Sequence, residues 1–312
     1  MNDAIIIQAI SIAIVAGTPL VLAGTGEVLT QRSGVLNLGV EGMMLMGAVS
    51  GFWATTATGN PWIGLVVGMI AGLLTALIHG FLAIRLNANQ IVTGIGVVIF
   101  GAGLSKFIGE MGSPPIAVRP GNGSFDPLID TGIANVPILG PVLFSHDAIV
   151  YLSWLIVAAS SWYLFHTRRG LELRAVGNNP AAADAAGINV AATRFFHVAI
   201  GGAAAGAGGA YMTLALFNSW SAGIVAGTGW LAVVLVIFSG WRPWRMLFAA
   251  YTLGVVSSLG FTLQVIGIGV PRELLLMLPF IATLVVLIAA SAFGIGESEP
   301  SALAEPYVRE RR

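Results

Sequence analysis

The chain has 312 residues, 56% of them hydrophobic and only 9% charged, with a formal net charge of zero. So few charges cannot cover a soluble domain, in which about 25% of residues are charged. The neutral balance carries no nucleic-acid signature, and the lack of cysteine excludes disulfides, thiolate metal sites and cysteine nucleophiles.

Several apolar stretches are about 18 to 24 residues long, enough to cross a hydrocarbon core about 30 Å thick. Alternating strands of about ten residues, the mark of a β-barrel, are absent. The fold class is therefore all-α, a polytopic helical membrane protein of about nine spans. They are expected near residues 4–24, 35–57, 61–84, 91–109, 147–166, 194–216, 228–240, 246–266 and 272–293. Together they form one transmembrane domain over 1–296, followed by a polar tail, 297–312, that reads as disordered. The first segment lacks a basic leader region, so it reads as a span and not as a cleaved signal.

The second span holds the most unusual residue. Glu41 lies about a third of the way along it, within GVLNLGVEGMMLMGA, and Asn37 falls one helical turn earlier, on the same face. A carboxylate at that depth is costly and marks a cavity, a pathway or a paired site. Two readings stand: a structural hydrogen bond to a neighbouring helix, or a place on a solute pathway.

In the third span Gly64, Gly68 and Gly72 recur every four residues. Gly201, Ala205 and Gly209, beside Gly202, Gly206 and Ala210, do the same in the sixth. Such rows let helix backbones approach closely, either inside one subunit or at a subunit interface or sliding surface. Between the third and fourth spans, Asn87, Asn89 and Gln90 form a turn that caps the fourth. The loop of about 110–146 carries six of the 14 prolines, which makes its first half stiff and non-helical.

Residues 167–193 interrupt the apolar pattern. Arg168, Arg169 and Arg174 lead into a short capped helix: Asn179 suits the N-cap, Pro180 the first helical position, Ala181 to Ala186 the body and Gly187 the stop. Asp184 and Ala185 lie on it. Two turns of helix between spans make a handle for something outside the bilayer.

The seventh span is too short to cross unless it is tilted or broken. The glycines of GIVAGTGW (223–230) allow unwinding, a common way to build a substrate site. Trp220 and Trp230 flank it, either as interfacial aromatics or as stacking surfaces for a planar ligand. The four histidines are scattered and make no metal site.

Placing the 167–193 loop in the cytoplasm puts Arg32, Arg85, Arg168, Arg169, Arg174, Arg194, Arg242, Arg245, Arg309, Arg311 and Arg312 inside. Only Lys106, Arg119 and Arg272 are left outside. The positive-inside rule then gives an outer N-terminus and a cytoplasmic C-terminus. No GxxxxGK[ST] phosphate loop, HExxH or GxSxG is present, so the chain carries none of these catalytic motifs.

Three blocks carry a family likeness. TQRSGVLNLGVEGMMLMGA at the second span, TRRGLELRAVGNNPAAADAAGI in the basic loop and GTGWLAVVLVIFSGWRPW at 227–244 resemble permease subunits of ABC importers, from the branched-chain amino acid and simple-sugar superfamily. Within it the chain resembles nucleoside-type permeases. The resemblance implies ATP-driven uptake by alternating access, through a pore of two permease subunits, this chain with a paralogue or a copy of itself. It also implies a cytoplasmic ABC ATPase that binds the ATP, an extracytoplasmic substrate-binding lipoprotein and a bacterial plasma-membrane setting. The chain itself would hold no cofactor and would not be an enzyme.

The ATPase would engage the helix from Asn179 to Gly187, flanked by the three arginines. Asn37, Glu41, Trp220 and Trp230 would line the solute path. The family's internal repeat is faint here, visible only as GVEGMMLMG against GTGWLAVVLV. Ala181 and Thr228 depart from the family pattern, which usually has a charged or aromatic residue at the first and a basic one at the second. Other cargo within the class would be ribose, another simple sugar or a branched-chain amino acid. Other classes would be a proton-coupled transporter working through Glu41, or a channel.

Overall fold

The computed structural model describes residues 2–111, 125–129, 136, 139–265, 271–293 and 299–308. They contain α1 (Asn2–Arg32), α2 (Val40–Thr58), α3 (Pro61–Gly80), α4 (Gln90–Glu110), α5 (Ala148–His166), α6 (Arg168–Asn178), α7 (Pro180–Ala185), α8 (Val190–Tyr211), α9 (Thr228–Phe238), α10 (Pro243–Val265) and α11 (Arg272–Phe293). Short π-helical turns, Phe81–Arg85 and Met212–Leu216, continue α3 and α8. Among the described residues the β structure is one isolated bridge, Pro127 with Asp147. The all-α reading holds.

Helices occupy all nine expected segments, and α6 and α7 add two more inside the basic loop. Among the described residues five helices are long and apolar enough to cross a bilayer, fewer than the nine crossings expected: α1, α3, α4, α5 and α8. Most of the proline-rich loop lies outside the described residues, and so do Arg119 and the last four residues. Where loops turn into helices, side chains satisfy the free N–H groups. Asn60 caps α3 ahead of Pro61, Asn89 caps α4 as expected, and Asp147 caps α5.

The packing centre is α2, α3 and α8. The glycine rows of the third and sixth spans face each other inside this one chain. A Cβ added to Gly72 would sit 2.6 Å from the Gly206 Cα, and one on Gly206 would sit 2.9 Å from the Gly72 Cα. Gly47 of α2 closes on the same point, 2.5 Å from Gly206 by the same measure. Backbone contact replaces hydrophobic drive as the source of association here. Against this core α1 lies along α8 and α10.

Candidate functional site

The second span is not helical throughout. Residues 33–39 (SGVLNLG) are irregular, and α2 begins only at Val40. They run beside the start of α4: the Leu36 N–H donates to Gln90 Oε1 (2.7 Å), Leu38 abuts Gly94, and Gly39 abuts Val97. From 90 to 97 a helix rises about 10 Å, so this backbone lies within the bundle. Irregular backbone survives at that depth only if protein satisfies it. The Asn37 N–H donates to Glu27 Oε1 (3.3 Å) and the Gly39 N–H to Asn37 Oδ1 (3.0 Å), while the Leu36 carbonyl lies 3.2 Å from His79 Nε2.

The seventh span is broken as well. After Leu216 the chain turns back with Gly223, Ala226 and Gly227 at positive φ, and only then starts α9. Eleven residues make α9 about 16 Å long, half the thickness of a hydrocarbon core.

The two breaks meet at Glu41, which is 7% exposed. Its Oε1 accepts the Gly227 N–H at 2.9 Å and its Oε2 the Gly229 N–H at 2.8 Å. The Trp230 N–H faces the same carboxylate. Gly229 permits this approach, since a Cβ there would lie 2.5 Å from the Glu41 Cα. At the far end of α9, Arg32 donates from Nε to the Trp241 carbonyl (3.1 Å) and from Nη2 to the Gly240 carbonyl (3.2 Å). A carboxylate at the N-terminus and a guanidinium at the C-terminus are the signs that a helix dipole favours. α9 is thus gripped at both ends by residues flanking the 33–39 break.

The four expected pathway residues are not gathered. Asn37 precedes α2, so it does not share a helical face with Glu41. Its Oδ1 accepts within its own loop, from the Gly39 N–H, and its Nδ2 lies 3.4 Å from Met43 Sδ on α2. Trp230 sits on the first turn of α9, half-buried beside Glu41. Trp220 is 3% exposed and lies against Gly109 in a packed cluster with Phe52, Leu65 and Tyr211, so its ring faces are covered.

A second carboxylate escaped the sequence reading. Glu27 is 1% exposed in α1, which continues to Arg32 and not to residue 24. The Trp241 indole N–H donates to Gln31 Oε1 (2.7 Å), and Gln31 Nε2 donates to Glu27 Oε1 (2.9 Å). The signal was present as Glu27 and Gln31, one turn apart in GEVLTQR. A span ended at the first polar cluster hides it. Farther out, the Tyr211 hydroxyl donates to Asp147 Oδ2 (2.6 Å) and the Trp154 indole to the Tyr251 hydroxyl.

The basic loop folds as its residues suggest. Asn179 Oδ1 accepts the Ala182 N–H (2.9 Å), Pro180 opens α7, and Gly187 ends it at φ +85°. Ala181, Ala182, Ala185 and Ala186 are exposed, and Ala183 alone is buried, against Val176 and Val190. Arg168 pairs with Glu172 at the surface (3.4 Å), a contact worth little. Arg169 is exposed in the first turn of α6, and Arg174 lies over the Phe165 ring.

The tail departs from the expected disorder over residues 299–308. The Ala302 N–H donates to the Gly177 carbonyl (3.0 Å) and the Ala304 N–H to the Gly34 carbonyl (3.2 Å). Arg194, buried at the start of α8, donates to the Glu305 carbonyl (3.0 Å) and the Ser33 carbonyl (3.2 Å).

An apolar bundle with two interrupted spans meeting inside it, and a small exposed helix at one end, defines a multi-pass membrane permease. The chain belongs to the family described as branched-chain amino acid transport system / permease component, whose profile matches residues 9–287. It is 37% identical to a putative glucose ABC transporter permease of Haloferax volcanii, over 95% of each chain. It is 32% identical to a guanosine ABC transporter permease of Bacillus subtilis, over 98% of this chain and 99% of that one. A nucleoside ABC transporter permease of Lactococcus lactis is also 32% identical, over 88% and 89%. The chain is an ABC transporter permease component, not itself an enzyme; ATP hydrolysis belongs to a separate subunit.

Proposed function

We propose that this permease imports nucleosides by ATP-driven alternating access, in a plasma membrane, with its N-terminus outside and its C-terminus in the cytoplasm. The observation that carries the coupling is α7, a capped helix whose alanine face is exposed while Ala183 anchors it. Small side chains on a free face suit insertion into a groove of a cytoplasmic ABC ATPase. The orientation is supported by Arg32, Arg168, Arg169, Arg174, Arg194 and Arg242, which belong to the same set of mutually contacting turns. A second permease subunit and an extracytoplasmic binding protein complete the assembly.

Nucleoside as cargo is supported by the two relatives named for guanosine and nucleosides. Trp230, half-buried beside Glu41 at the start of α9, offers a ring for stacking. A hexose is the second reading, favoured by the Haloferax volcanii relative. A proton-coupled role for Glu41 is disfavoured, because both of its oxygens hold backbone N–H groups.

The test replaces Ala185 and Gly187 with bulky charged residues in the assembled complex. ATP-driven uptake is expected to vanish while the protein remains inserted. Normal uptake would remove the coupling role. Labelled guanosine against labelled glucose, presented with the partner binding protein, decides the cargo.

A further inference from the structure

The tail segment 299–308 touches the end of α6, the α1–α2 turn, the start of α8 and the cluster that holds α7. Ala302 and Ala304 donate backbone N–H groups to two different elements, the end of α6 at Gly177 and the α1–α2 turn at Gly34. Those two elements already lie against each other: a Cβ on Gly177 would meet the Gly34 N at 3.3 Å, and one on Gly34 would meet the Ala302 carbonyl at 3.1 Å. Arg194 then fixes the next residue, gripping the Glu305 carbonyl with one nitrogen and the Ser33 carbonyl with another. Tyr307 packs on the small cluster of Val176, Ala183 and Val190, the same cluster that anchors α7. Buried Pro300 and Ala302 seat the segment.

We propose that this strap is a positioning element of coupling: it makes α7 and the α1–α2 turn move as one body. The inference rests on the reading of the chain as an ATP-driven importer. α7 has six residues and one buried side chain, so its own grip on the bundle is slight. The strap adds an attachment through Tyr307 at one end and through Gly34 at the other. From Gly34 the connection continues without a gap. Arg32, two residues earlier, holds the C-terminal turn of α9, and Glu41, just past the break, holds its N-terminus. A displacement of α7 by the ATPase then reaches the short helix in the membrane through the Tyr307 packing, the two backbone hydrogen bonds of the strap, and the Arg32 and Glu41 side chains.

The test uses the complete complex in proteoliposomes, with ATPase and binding protein. It compares the full chain with a deletion of 299–312 and with two substitutions, Ala302→Pro, which removes the donor to Gly177, and Tyr307→Ala. Three quantities are read: subunit assembly, basal ATP hydrolysis, and hydrolysis with uptake stimulated by the loaded binding protein. Assembly and basal hydrolysis are expected to stay unchanged, while stimulated hydrolysis and uptake fall roughly tenfold, within the ordinary range of coupling free energies. Stimulation and uptake at the full-chain level in all three variants would overturn the proposal. Loss of assembly, or equal loss of basal and stimulated hydrolysis in both substitutions, would also overturn it, by making the strap a folding element only. A full-chain complex that takes up nothing with ATP contradicts the importer reading and the strap together. An active full chain with active variants contradicts the strap alone.

Discussion

Exchanging Glu41 for glutamine keeps the shape of the side chain and removes one acceptor at the start of α9. One carboxylate oxygen accepts the Gly227 N–H at 2.9 Å and the other the Gly229 N–H at 2.8 Å, with the Trp230 N–H beside them. Glutamine has one carbonyl oxygen, and its NH2 group would face the second N–H donor to donor. Leaving one buried N–H unpaired costs about 1–3 kcal/mol. Losing the negative charge at a helix N-terminus adds about 0.3–1 kcal/mol. Together these make local opening of residues 227–230 about tenfold to several hundredfold more frequent, since about 1.4 kcal/mol is a factor of ten. The assay is amide hydrogen exchange by mass spectrometry on the detergent-solubilised protein. Exchange is expected to quicken in peptides covering 227–231 and to stay unchanged in α3 and the middle of α8. Unchanged exchange at 227–231 together with abolished uptake would refute the reasoning, because Glu41 would then act on the cargo or a proton and not on α9.

Three further outcomes follow from the same contacts. Gly206→Val drives side-chain atoms into the backbone of α3 at Gly68 and Gly72, and overpacking of this kind costs about 1–3 kcal/mol or more; a lowered Tm and poor membrane yield are expected, and wild-type yield would contradict the seam. Trp220→Ala empties a packed site at about 3–5 kcal/mol, lowering Tm, whereas Trp230→Ala leaves Tm close to wild type and raises the KM of uptake. Asn179→Ala removes the α7 cap, worth about 1 kcal/mol, and is expected to reduce stimulated ATP hydrolysis without changing the amount of inserted protein.

Composition alone located the helices, because long apolar runs leave few other folds possible in a bilayer. Local rules also described α7 correctly, since Asn179, Pro180 and Gly187 act on their own neighbours. The glycines of GIVAGTGW announced a break because positive φ is a backbone demand visible at single residues. What failed was whatever depended on distant partners. Residues 33–39 are as apolar as the helix they precede, so hydropathy runs straight through the break, and Asn37 was assigned to a helical face that does not exist. Glu27 and Gln31 fall beyond residue 24, the expected end of the first span, and the partner that ties them into the bundle, Trp241, is 210 residues from Gln31. The tail is polar and proline-bearing, and its order comes from backbone donors that meet carbonyls of Gly34 and Gly177, which no composition reveals.

The central claim is that this chain moves its solute with energy from a separate ATPase engaged at α7. The most direct measurement is accumulation of a labelled nucleoside in proteoliposomes holding this chain, its partner permease, the ATPase and the binding protein. Accumulation is expected with ATP on the ATPase side, and none when the ATPase is omitted or when α7 carries Ala185→Glu. Accumulation by this chain without the ATPase, driven by a proton gradient alone, would contradict it.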